Sequence, residues 1–149
     1  MIALGGNAIK QPHEKGTYEE QMANVETASK QIAKIARNGY EIAITHGNGP
    51  QVGNLAIQQE QGAHMVPAQP LFILGSMTQG QIGFMMQQSL QNELIKDGKD
   101  VTTVVTQVIV STDDPDFQDP TKPVGPYYDE ETAKRLGAEN DWLVKQGKT

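Results

Sequence analysis

The residues best suited to chemistry are two short clusters, Gly5-Gly6-Asn7 and Gly47-Asn48-Gly49. Each follows an apolar run and precedes a helix signal. Glycine lets main-chain amides approach an anion with no side chain in the way. A helix start adds unpaired N–H groups and a favourable dipole. Asn7 and Asn48 add side-chain amides that can also donate. The chemistry indicated is the binding of a phosphate-sized anion at the ends of parallel strands. The same glycines would also serve two tight strand-to-helix turns, but two alike after two strands favour the anion. Neither cluster is a standard nucleotide loop. Gly47-Asn48-Gly49-Pro50-Gln51-Val52-Gly53 misses G-x-G-x-x-G by one residue, and Gly75–Gly80 has P-loop glycine spacing with Gln81 where the lysine belongs.

Other polar residues carry less. His46 abuts the second cluster and has the chemistry of a general base, but a hydrogen-bonding loop residue is the preferred reading. His13 and His64 read as loop or surface residues. Asp113, Asp114, Asp116 and Asp119 lack the EF-hand spacing and fit a solvated acidic loop better than a metal site. Lys122 is a cation among Pro120, Pro123 and Pro126, where composition alone gives a surface lysine in a proline-rich turn.

The elements that must position these residues follow from pattern. Ile2-Ala3-Leu4 reads as a short buried strand and Lys10–Gly16 as a polar loop. Thr17-Tyr18-Glu19-Glu20 matches a capping box. The helix it starts places Met22, Val25, Ile32 and Ile35 near one face, and Asn38-Gly39 stops it with a left-handed cap. Tyr40–Thr45 reads as a second strand. Pro50 suits the first position of a helix that runs to about Gln61-Gly62. Ser76–Gln79 offers caps for another helix, with an Ile82, Met86, Leu90, Leu94 stripe and an end at Asp97-Gly98. Val101–Val110 reads as a third strand. Ser111–Tyr128, with four Pro and four Asp, is neither helix nor central strand. Asp129 caps a last helix expected to stop at Gly137. Strand, loop and helix in this order imply an α/β fold, an open and mainly parallel sheet layered between helices.

Composition bounds the rest. The 149 residues contain 18 acidic against 12 basic side chains, a net charge of −6, which argues against broad nucleic-acid binding. No apolar run approaches the roughly 20 residues that span a bilayer, so no membrane partner is expected. These residues hold no Cys, which excludes disulfides, Fe–S clusters and thiol catalysis within them. Met1–Leu4 enters Gly5-Gly6 without a basic segment, so a cytoplasmic location is expected.

Leu4-Gly5-Gly6-Asn7-Ala8-Ile9 and Thr45-His46-Gly47-Asn48-Gly49-Pro50-Gln51-Val52-Gly53-Asn54 resemble the two signature loops of carbamate kinases, members of the amino acid kinase family. Thr78-Gln79-Gly80-Gln81-Ile82-Gly83 and Asp119-Pro120-Thr121-Lys122-Pro123-Val124-Gly125-Pro126-Tyr127 are similar to two further segments of that family. The resemblance runs in order along essentially the whole chain. It implies phosphoryl transfer between ATP and carbamate with Mg²⁺, usually run from carbamoyl phosphate and ADP toward ATP, in arginine metabolism or purine breakdown. It implies that Gly5, Gly6, Asn7, Gly47, Asn48 and Gly49 surround the phosphoryl group and acceptor, and that Lys122 reaches them as the catalytic cation. It also implies a homodimer built partly from the Met77, Met85 and Met86 helix.

The resemblance further implies an acceptor-binding domain over residues 1–118 and the start of a protruding subdomain over 119–149. The nucleotide-binding half that supplies the adenine pocket and most Mg²⁺ contacts would then lie outside these residues. The 149-residue chain alone is expected to make no ATP. Two other functions fit the loops: an amino acid kinase acting on an amino-acid carboxylate, and a non-catalytic anion-binding or dimerisation module.

Overall fold

The computed structural model describes residues 1–120 and 128–140, apart from the side chains of Asn7 and Asn140. Its elements are β1 (Ile2–Leu4), α1 (Tyr18–Arg37), β2 (Ile44–His46), α2 (Gly49–Gly62), α3 (Leu71–Leu94) and α4 (Glu130–Asn140). Single 3-10 turns lie at Gly6–Ala8, Ile95–Asp97 and Pro115–Phe117. The chain divides into two compact units. One holds Met1–Val52 and Gln69–Thr106; the other holds Gly53–Ala68 and the described part of Gln107–Thr149.

In the first unit β1 and β2 pair in parallel, with Ile2 opposite Ile44, Ala3 opposite Thr45 and Leu4 opposite His46. Side chains alternate across a strand. Ile2, Leu4 and Ile44 therefore pack on the helices, while Ala3 and Thr45 are exposed. The second strand is shorter than its pattern suggests, since Tyr40–Ala43 precede it in irregular structure. The core lies between α1 and α3, where Val25, Ile32, Ala33 and Ala36 meet Ile82, Met85, Met86, Leu90 and Leu94. All four residues of the predicted α3 stripe are buried. On α1 the prediction fails at Ile35, which is exposed because Ala33 and Ala36 take the facing positions.

Local chemistry sets the ends of α1. Thr17 accepts from the Glu20 amide, and the Glu20 carboxylate accepts from the Thr17 amide at 3.0 Å and the Gly16 amide at 2.7 Å. These bonds hold the Glu20 carboxyl below the ordinary range. Gly39 ends the helix at φ 91°, where a side chain would be strained. An ion pair from Arg37 to Asp97 at 2.8 Å ties the C-terminal end of α1 to the turn after α3.

Two expected boundaries move. Helix α3 begins at Leu71 after Pro70, not at Ser76. The hydroxyls of Ser76 and Thr78 donate back to the carbonyls of Ile73 and Gly75 inside the helix, so neither is a cap. Helix α4 runs through Gly137 to Asn140. Its start is as expected, with the Asp129 carboxylate accepting from the Thr132 amide at 2.9 Å.

Val101–Val110 is not a strand; none of its residues joins a ladder. Glutamines of α3 take the place of a neighbouring strand. Val101 N–H donates to Gln91 Oε1 at 2.8 Å, Thr103 N–H to Gln87 Oε1 at 3.1 Å, and Thr106 N–H to Gln79 Oε1 at 2.8 Å. The Thr103 hydroxyl reaches the Gly83 carbonyl at 2.9 Å. Gln79, Gly83, Gln87 and Gln91 recur every fourth residue, so they form one row along the helix. Amides outside any ladder still need partners, and this row supplies them to half-buried Val101 and Thr103 and to exposed Thr106.

In the second unit, Tyr128 donates its hydroxyl to Glu60 of α2. Partial burial, then that carboxylate, push the phenol up to about 12.

Candidate functional site

The two glycine clusters leave the same rim of the parallel pair. Leu4 and His46 are register partners, and the Gly47 amide donates to the Leu4 carbonyl at 3.4 Å. Gly5 and Gly47 therefore follow neighbouring strands, separated by about the 4.8 Å of adjacent strands. After Gly5 the chain makes its 3-10 turn, closed by the Ala8 amide on the Gly5 carbonyl at 3.0 Å. After Asn48 it enters α2, closed by the Val52 amide on the Asn48 carbonyl at 2.9 Å. Amides ahead of these first bonds have no partner within the turn. They are Gly6 and Asn7 in one loop, and Gly49 and Gln51 in the other, where Pro50 has no N–H to leave unmet.

The glycines there are not explained by packing. A Cβ built on Gly5, Gly6, Gly47 or Gly49 meets nothing within 4 Å, and none of the four has positive φ. Gly53, Gly75 and Gly80 in the helices share that property. Gly83 is the opposite case: its Cβ would lie 2.2 Å from Thr103 Cγ2. The space over both loops is open.

Polar side chains pin the second loop from below. Asn48 Nδ2 donates to Thr78 Oγ1 of α3 at 2.7 Å, and that hydroxyl donates to the Gly75 carbonyl at 3.0 Å. Gln51 Nε2 donates to Gln21 Oε1 of α1 at 2.9 Å, and Gln21 Nε2 donates to the Gly16 carbonyl at 2.8 Å. Thr78, Gln51 and Gln21 are all buried. Sequence reading placed Thr78 in a cap and Thr78 and Gln51 in family segments, and gave none of the three this role. The signal available was slight: each stands four residues from an apolar side chain, Gln21 from Val25, Gln51 from Leu55 and Thr78 from Leu74 and Ile82. His46 turns a ring nitrogen to the Gly47 carbonyl at 3.2 Å, a bond its Nδ1–H tautomer donates.

The structure thus brings together Gly5, Gly6, the Asn7 backbone, Gly47, Asn48 and Gly49. The Asn7 side chain and Lys122 lie outside the described residues. Among the described residues no three His, Asp or Glu side chains gather to hold a metal ion. Asp114 accepts instead from the Asp116 amide at 2.9 Å. No described helix is long and apolar enough to cross a membrane.

Comparison with known proteins settles the family. The profile described as "Amino acid kinase family" matches residues 1–138. The chain belongs to the amino acid kinase family. Among relatives, the carbamate kinase of Pyrococcus furiosus is 57% identical over 150 residues, covering 98% of this chain and 48% of that protein. The carbamate kinase of Thermococcus kodakarensis is 59% identical, covering 97% of this chain and 47% of that protein. Among solved structures, carbamate kinase from Giardia lamblia bound to AMP-PNP superposes with a TM-score of 0.86 at 43% identity, over 99% of this chain and 48% of that one. The chain therefore spans about half the length of the relatives it matches. The α/β fold expected from strand and loop order, and the amino acid kinase family implied by the resemblance, are both found, with a two-stranded parallel sheet among the described residues.

Proposed function

We propose that this chain is the acceptor-binding half of a carbamate kinase, which moves a phosphoryl group between carbamoyl phosphate and ADP. The observation that carries the proposal is the shared rim: two amide-rich glycine loops leave adjacent parallel strands side by side. Phosphoryl transfer needs positioning, and stabilisation of charge spread over the phosphoryl oxygens, more than it needs covalent chemistry. Amides of Gly6, Asn7, Gly49 and Gln51 suit that task. Carbamate is already an anion, so the acceptor needs no general base, which agrees with a structural role for His46.

Identity of 57% and 59% to carbamate kinases supports the substrate pair, and the AMP-PNP complex of the Giardia relative supports an adenine nucleotide. Mg²⁺ would be held by residues outside the described set. Lys122 is proposed, on the family pattern of its proline-rich segment, as the cation that meets the moving phosphoryl group. Residues 1–118 and 119–149 are proposed as acceptor domain and protruding subdomain. A cytoplasmic homodimer in arginine metabolism completes the proposal. For the dimer, Met77 and Phe84 are exposed at 44% and 63% and lie seven residues apart on α3, hence on one face, whereas Met85 and Met86 belong to the core.

The test is a substrate panel on the full-length polypeptide that carries this sequence. ATP formation from carbamoyl phosphate and ADP is expected, abolished by Lys122→Met. Phosphorylation of an N-acetylated or free amino acid in its place would overturn the assignment.

A further inference from the structure

We propose that Thr78 is a positioning residue for the second glycine loop: it sets the orientation of the Asn48 side-chain amide. This rests on that loop being the acceptor site. The argument is one of proton counting. A threonine hydroxyl has a single proton, and Thr78 gives it to the Gly75 carbonyl at 3.0 Å. Only its lone pairs remain, and they face Asn48 at 2.7 Å. A lone pair accepts from Nδ2 and repels Oδ1, so the amide of Asn48 has one allowed orientation. Its second N–H and its Oδ1 are fixed as a consequence.

Thr78 is 0% exposed, so water does not compete for either bond. A neutral hydroxyl at this depth is costly to bury unless both of its bonds are used. The Gln51–Gln21 pair adds a second tie three residues along the chain, between the first turn of α2 and the first turn of α1. Asn48 and Gln51 flank Gly49-Pro50. The loop is thus tied at both ends, to α3 through Thr78 and to α1 through Gln21. Rigid support of this kind is what a preorganised anion site requires.

A double-mutant cycle on the full-length protein, run as ATP formation from carbamoyl phosphate and ADP, decides the matter. Thr78→Val keeps the shape and removes the hydroxyl; Thr78→Ala removes it without adding an apolar contact; Thr78→Ser restores it. Both hydroxyl-free variants are expected to lose roughly 10- to 100-fold in kcat, as misplaced catalytic groups do, with the KM for ADP unchanged. Thr78→Ser recovers most of the rate. In an Asn48→Ala background, loss of the hydroxyl has no further effect. Wild-type kcat in Thr78→Val or Thr78→Ala, alongside a crippled Asn48→Ala, overturns the inference and leaves the site assignment standing. So does an equal loss in both backgrounds. Wild-type activity in Asn48→Ala removes the site assignment and this inference with it. The two hydroxyl-free variants perturb packing in opposite ways, so a folding defect in one leaves the other to be read by its melting curve and its cycle.

Discussion

Replacing Gly47 by Ala separates the two reasons a glycine can be fixed in a chain, its own fold or its ligand. An added Cβ at this position meets nothing within 4 Å, and φ is not positive. No clash opposes the change, and the unfolded chain loses conformational freedom. Gly47→Ala should therefore hold stability or raise it by about 0.4–1 kcal/mol. Gly83→Ala is the contrasting case. Its Cβ falls 2.2 Å from Thr103 Cγ2, where carbon atoms need about 3.5–4.0 Å. Overpacking of that kind costs about 1–3 kcal/mol, offset by about 0.8–1 kcal/mol of helix propensity. The net loss should reach about 2 kcal/mol, and Thr103→Ser should recover part of it by removing the clashing methyl. Thermal or urea unfolding of the full-length protein measures both variants, and a coupled assay of ATP formation measures turnover. Gly47→Ala is expected to fold normally yet lose roughly 100-fold in turnover, because the methyl intrudes where the anion sits. A Gly47→Ala protein with undiminished turnover refutes the anion cradle. One that unfolds refutes the claim that the space above the loop is open.

Four further outcomes follow from individual contacts. Ser29 is 0% exposed in α1 and its Oγ has no hydrogen-bond partner among the described residues; Ser29→Ala should stabilise by about 1 kcal/mol, read as a higher urea midpoint. Thr17→Ala should cost about 1 kcal/mol by opening the capping box. The Glu20 carboxyl is held low by backbone amides, so its contribution is present above the ordinary carboxylate range and is lost as pH falls through its folded value; Glu20→Gln should flatten that acid limb of the stability profile. The Tyr128 phenol, pushed up to about 12, favours the folded state fully below pH about 10, and that preference fades as pH rises toward 12. Phenolate absorbance should show one late-titrating tyrosine, absent in Tyr128→Phe and shifted down in Glu60→Gln.

Features set by nearest neighbours were legible in the sequence. Thr17 with Glu20, Gly39 after α1 and the four-residue spacing of Ile82 to Leu94 each carry their cause within one or two turns. The placement of the two glycine loops was legible to the same degree, since each directly follows its strand. Misreadings came from partners far away in sequence. Val101–Val110 has the β-branched residues of a strand, but a strand also needs a ladder, and its amides met glutamines of α3 instead. Ser76 and Thr78 look like caps until their hydroxyls are seen bonding backwards inside a helix that starts at Leu71. The role of Thr78, Gln21 and Gln51 at the loop went unread because it depends on residues 30 positions away.

Three glutamine pegs hold residues 101 to 106 against α3. A strand bonded to another main chain can slip by two residues and find equivalent bonds again. This segment meets Gln91, Gln87 and Gln79 at residues 101, 103 and 106, so its two-residue repeat is broken between 103 and 106 and a slip does not return all three bonds. Its alignment is thus written in residue identity and not in the repeating backbone, so shifting one peg by a single position would cost the segment its place.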